Sequence, residues 1–105
     1  MDRFFLHYIL VDRVPTPVED VMEYYRWREE AEMQVALTRF QDGSYISTVF
    51  LGIDHSSNRL SGPPILFETM VFGGPKDGLK RRYATWDEAE TGHKQVVELV
   101  FAVLN

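Results

Sequence analysis

Cysteine is absent from the 105 residues of this chain. Its absence excludes disulfides, thiolate catalysis and Cys-based structural zinc sites. No run of 18 apolar residues occurs, so no segment reads as a transmembrane helix and no membrane association is expected. The opening Met1-Asp2-Arg3, followed by Phe4-Phe5-Leu6-His7-Tyr8, lacks a signal peptide's layout. His7 interrupts the apolar run and no small-residue cleavage site follows, so the expected localisation is cytoplasmic. Basic residues are also in short supply: 11 against 16 acidic ones, a net charge of -5. Displacing counterions from phosphates needs clustered Lys and Arg. The single basic run, Lys80-Arg81-Arg82, is short and reads as the solvated start of a strand. Direct nucleic-acid binding is therefore disfavoured. A small acidic protein presents carboxylates to basic surfaces, which points to a protein partner.

What is present suits one globular domain spanning residues 1–105. Hydrophobic residues make up 45% and charged residues 26%, ordinary globular values, and seven Phe, five Tyr and two Trp can fill a core. No internal repeat, low-complexity tract or linker interrupts the chain. Phe4 to Val11 is aromatic and β-branched and reads as a strand, ended by Asp12-Arg13-Val14-Pro15. Thr16-Pro17-Val18-Glu19 is a capping box with Pro at the first helical position, so a helix is predicted from there. Its apolar stripe is Val18, Val21, Met22 and Tyr25, and it fades between Glu29 and Glu32. From Met33 to Phe40 the period becomes two. Asp42-Gly43 then suits a two-residue type I′ turn leading into a strand from Tyr45 to Ile53.

The polar segment His55 to Pro64 is a loop, and Ile65 to Phe72 another strand. Gly73-Gly74-Pro75 ends that strand, and no helix or Lys-Ser/Thr pair follows, so it is a hinge rather than a phosphate-binding loop. Arg82 to Ala84 reads as a short edge strand. Thr85-Trp86-Asp87-Glu88 is a second capping box. Its helix presents Ala89, His93, Val96, Val97, Val100 and Leu104 on one face, with Gly92 serving close packing. The predicted order is β-α-β-β-β-(β)-α: an α+β fold with a mainly antiparallel sheet of about four or five strands and two helices.

A two-residue turn at Asp42-Gly43 sets Phe40 opposite Tyr45, Thr38 opposite Ser47 and Ala36 opposite Val49. One face then carries Ala36, Val49, Leu51 and Ile53, the other Val35, Leu37, Ile46, Thr48, Phe50 and Asp54. Both faces are apolar, and two helices of this length cover one of them. A partner or a second copy is expected on the other face, with Phe50, Met70 and Phe72 as its interface; the alternative is one helix on each face.

Few residues suggest chemistry. Asp54-His55 ends a strand at the lip of a loop, where side chains reach solvent. On the expected register Glu68 shares the face of Asp54, and His93 lies on the last helix. Two His and two carboxylates suit a divalent metal such as zinc or manganese, or a general acid/base pair oriented by Glu68. A metal-assisted hydrolase using Asp54, His55, Glu68 and His93 is the enzymatic alternative. Each residue also has a plain structural role: Asp54 as an Asx cap, His93 as a core histidine, Glu68 as the ion-pair partner of Arg39 or Arg82. No H-E-x-x-H spacing or G-x-S-x-G elbow is present, and no cofactor is required. Trp27, Trp86, Tyr24 and Tyr25 form either an aromatic contact surface or core edges.

Three stretches carry a resemblance. They are Ser47 to His55 (S-T-V-F-L-G-I-D-H), Pro64 to Gly73 (P-I-L-F-E-T-M-V-F-G), and Tyr83 to Ala89 with Gly92-His93. Together they resemble a group of small uncharacterised proteins encoded by bacteriophages and prophages. The resemblance covers roughly the second half of the chain, and more weakly the Trp27 region. It implies a phage or prophage origin and action in the cytoplasm of a bacterial host, and it carries no activity with it. The expected function is that of a small accessory protein acting by protein–protein binding. The alternatives are the hydrolase above and a structural homo-oligomer.

Overall fold

A computed structural model of the chain describes residues 6–56 and 62–104. Phe4 and Phe5, expected to open the first strand, and residues 57–61 of the His55–Pro64 loop lie outside the described residues.

The fold is α+β, with elements in the order β-β-α-β-β-β-β-α. Strands β1 (His7–Val11) and β2 (Val14–Val18) pair as an antiparallel hairpin. Helix α1 (Val21–Glu30) follows. Strands β3 (Gln34–Arg39), β4 (Tyr45–Phe50), β5 (Phe67–Phe72) and β6 (Lys80–Tyr83) form a second antiparallel sheet in that order. Helix α2 (Trp86–Leu104) closes the chain.

The hairpin overturns one expectation: the Thr16–Glu19 capping box is not used. Asp12 and Arg13 both adopt positive φ, 52° and 68°, which is the pattern of a two-residue type I′ turn. Val11 then faces Val14, and Pro15 and Pro17 face Leu10 and Tyr8. In such a hairpin every second pair exchanges no ladder bonds. Both prolines fall on those pairs, where the missing N–H costs nothing. The helix starts later, where the Asp20 side chain accepts from the Met22 N–H at 2.9 Å. That start rotates the expected stripe outward. Val21, Met22 and Tyr25 are exposed, and Tyr24 is the buried residue, with its ring packed over Gly52 (φ 78°).

The β3–β4 turn is also longer than expected. Gly43 N–H donates to the Phe40 carbonyl at 3.1 Å, and Phe40 N–H to the Ser44 carbonyl at 2.9 Å. The loop therefore holds three residues and ends on Gly43 at φ 91°, a common hairpin geometry with a left-handed last residue. Asp42 stabilises it by accepting from the Ser44 amide and hydroxyl. Pairing consequently slips by one: Arg39 faces Tyr45, Thr38 faces Ile46 and Leu37 faces Ser47. A slip of one residue exchanges faces along a strand. Near Gln34 a bulge shifts the pairing by one residue more, so that Gln34 faces Val49. There the Gln34 side-chain amide donates to the Ala36 and Thr48 carbonyls and to Ser47 Oγ.

Ile46, Thr48 and Phe50 of β4 and Phe67, Thr69 and Val71 of β5 point at α2. Val96 and Val100 pack on Ile46 and Val71, and Ala89 on Phe50, Phe67, Leu66 and Tyr8. Trp27 of α1 meets Phe50 on the same side, edge to face at 5.9 Å. The expected capping box at the start of α2 forms. Thr85 Oγ1 accepts from the Glu88 amide, and the Glu88 carboxylate accepts from the amides of Thr85 and Ala84. The molecule measures 47 × 31 × 20 Å. A thickness of 20 Å accommodates one sheet and one helix layer.

Candidate functional site

The four polar residues singled out for chemistry do not converge. Asp54 is buried, and its carboxylate accepts from the Ser56 and Ile65 backbone amides at 2.8 and 3.0 Å. It ties together the two ends of the 54–65 loop, the Asx-type role. His55 is exposed, and its Nδ1 donates to the Ile53 carbonyl at 2.7 Å. Glu68 lies on the sheet face away from the helices. There it pairs with Arg82 at 3.0 Å, one of the two partners expected from sequence. His93 lies on the opposite side of the sheet, inside the core. Among the described residues no three His, Asp or Glu side chains form a group able to hold a metal. The two-His, two-carboxylate arrangement assumed for a hydrolase is not formed, because the sheet itself separates Glu68 from His93.

His93 belongs instead to a polar network that sequence reasoning missed. Its Nε2 meets Thr38 Oγ1 at 2.8 Å and its Nδ1 meets Thr48 Oγ1 at 2.7 Å. Thr48 bonds on to Thr69, which accepts from the Tyr83 hydroxyl at 3.1 Å. The network crosses all four strands beneath α2. Burial holds the His93 pKa below its ordinary value, because desolvation disfavours the imidazolium. Every ring nitrogen has a hydroxyl partner, so this is a satisfied core histidine rather than a free base. The signal available in sequence was three threonines at inward positions of apolar strands, legible only once the register is known. Gly92 opens the space for this packing: a Cβ there would collide with the Tyr83 hydroxyl and ring.

The predicted interface residues separate as well. Phe50 is 1% exposed and belongs to the core. Met70 and Phe72 lie on the other face, where pairing across β3 to β6 gathers Leu37, Tyr45, Val49, Met70 and Phe72. The correction follows from the β4–β5 register, in which Phe50 faces Phe67 and turns toward α2, while Met70 and Phe72 face Ser47 and Tyr45. Phe72 is 37% and Leu37 40% exposed, and Tyr45 stacks on Phe72 at 4.8 Å. Arg39, Lys80 and Arg82 rim this face, and among the described strand residues on it Glu68 is the one carboxylate. The face is locally cationic on a chain of net charge -5. Compact grooves lie elsewhere. A cleft of about 560 Å³ runs between β6 and α2 beside Tyr83, Glu88 and Gln95, and a groove of about 340 Å³ lies between Phe40 and the end of α2.

No helix of the described residues is long and apolar enough to cross a membrane. Compared with protein-family models, curated proteins and solved structures, the chain matches none.

Proposed function

We propose that this chain is a small accessory protein of phage or prophage type that works by binding another protein through the open face of its four-stranded sheet. The observation that carries the reading is the apolar strip Leu37–Tyr45–Val49–Met70–Phe72, with Leu37 and Phe72 exposed and the other three half-buried, bordered by Arg39, Lys80 and Arg82. A strip of apolar side chains with a charged rim is the anatomy of a protein interface. The rim selects the partner's chemistry: an apolar surface edged by Asp and Glu. Action in the cytoplasm of a bacterial host belongs to the same proposal.

The test compares the wild type with a Met70→Lys/Phe72→Glu double variant, both used to capture proteins from bacterial lysate. A Glu23→Lys variant on α1 serves as control. A protein captured in stoichiometric amount by wild type and control, lost by the double variant and rebound by the purified wild type, supports the reading. Identical capture by all three overturns it.

A further inference from the structure

The four-stranded sheet ends in two edges that differ in kind. At β6 the edge strand is Lys80-Arg81-Arg82-Tyr83. Pairing this edge antiparallel with itself sets cations against cations, a common protection of exposed edges. The β3 edge carries fewer charges: Arg39 is the one charged residue of the strand. Phe40 N–H bonds to Ser44 in β4's direction, so by the alternation of antiparallel ladders Thr38 also points its amide groups inward, and Leu37 and Arg39 point theirs outward. Among the described residues nothing hydrogen-bonds to those outward groups. Further back, the bulge and the Gln34 amide close the ladder. The free edge is therefore confined to Leu37–Arg39.

We infer that two copies of this chain pair antiparallel through their β3 edges, with Thr38 on the two-fold axis. In this register Leu37 of one copy faces Arg39 of the other, and both residues use their outward N–H and C=O. Four backbone hydrogen bonds form, in two equivalent pairs. Arg39 meets Leu37 rather than another Arg39, and the bulge at Val35 stays outside the paired segment. Registers centred on Leu37 would need the bulged residue, and those centred on Arg39 would oppose two guanidinium groups. The two four-stranded sheets then continue as one eight-stranded sheet with both open faces on the same side. On the helix side of the same edge, Phe101, 59% exposed, and Leu104 stand beside Phe40, adding apolar surface near the junction. The contact is isologous, the arrangement a two-fold dimer requires.

Self-association measured by sedimentation across a concentration series tests this, with hydrogen exchange at the Leu37 and Arg39 amides as a direct readout. The expected result is a reversible dimer in which exchange at these two amides slows as concentration rises. Leu37→Pro removes an outward N–H without touching the β3–β4 ladder, where edge proline is tolerated, and should leave a folded monomer. Leu37→Lys sets a cation opposite Arg39 and should weaken the dimer about tenfold or more, whereas Leu37→Glu sets an anion there and should retain or tighten it. That opposite pair of outcomes decides the question even if the proline variant fails to fold. A monomer up to about 0.5 mM, weaker than any useful association, overturns the inference. So does equal weakening by Lys and Glu, which would mean contact through the open face. Partner capture plays no part in this readout, so it stands or falls apart from the proposed function.

Discussion

The two faces of the four-stranded sheet are made by the same strands, residue by residue in alternation, yet they have opposite fates. The covered face holds Ile46, Thr48, Phe50, Phe67, Thr69 and Val71, all of them buried. The open face holds Tyr45, Val49, Met70 and Phe72, comparable in size and apolarity, together with Ser47 and the charged Glu68. Apart from Glu68, side-chain chemistry does not separate the two sets. What separates them is α2, whose stripe of Ala89, Gly92, His93, Val96 and Val100 settles on one side. A strand that is apolar on both faces is a core strand on one side and a potential contact surface on the other.

Single substitutions should expose this difference most sharply at the two phenylalanines. Phe50→Ala leaves a cavity in a fully packed region and should cost about 3–5 kcal/mol. Phe72→Ala, on the open face, should cost less than about 1 kcal/mol. Urea titration of both variants checks the contrast, and equal losses would mean that the open face is covered in the folded chain. Next in size is Gly92→Ala. The added methyl collides with the Tyr83 hydroxyl, so α2 and β6 must part or Tyr83 must leave its bond to Thr69. A loss of about 1–3 kcal/mol is expected from such overpacking, and Tyr83→Phe in the same background should restore little of it, because the ring carbons are nearly as close as the oxygen.

The smallest expected effect concerns pH. His93 is held neutral by burial, so its folded pKa lies below its unfolded one, near 6.5. The unfolded chain therefore binds the proton more readily, and stability is complete above that value. It falls as pH drops from about 6.5 toward the folded pKa. Thermal melts between pH 8 and pH 5 should show this decline. A His93→Gln variant, less stable at pH 8, should show a shallower decline over the same interval; an unchanged slope would place the titration elsewhere. Asp42, whose hydrogen bonds with Ser44 hold its pKa below the usual carboxylate value, acts at lower pH and in the same direction.

Much of this was legible because it is local. The Thr85–Glu88 capping box, the helix it starts, the strand from Tyr45 and the need for Gly92 all rest on residues within a turn or two of one another. The α+β class followed from those elements. The hairpin β1–β2 was hidden because Thr16-Pro17-Val18-Glu19 satisfies a local helix signal as well as a strand, and pairing with His7–Val11 outweighs the cap. The candidate site was misread for a related reason. Its geometry depended on how β4 pairs with β5 across the 54–65 loop, where Glu68 faces Val49 and Phe67 faces Phe50, and one residue of difference exchanges the faces of a strand.

Sequence by itself determined the alternation of apolar side chains, the start of the last helix, the acidic balance and the absence of thiol chemistry, because each is a property of neighbouring residues or of a simple sum. Tertiary structure alone decided which face α2 covers, that His93 closes a hydroxyl network while Glu68 pairs with Arg82 on the far side, and which edge strand carries the fewest charges. These depend on contacts between residues as far apart as Thr38 and His93. Such contacts exist only after register and packing have been chosen together.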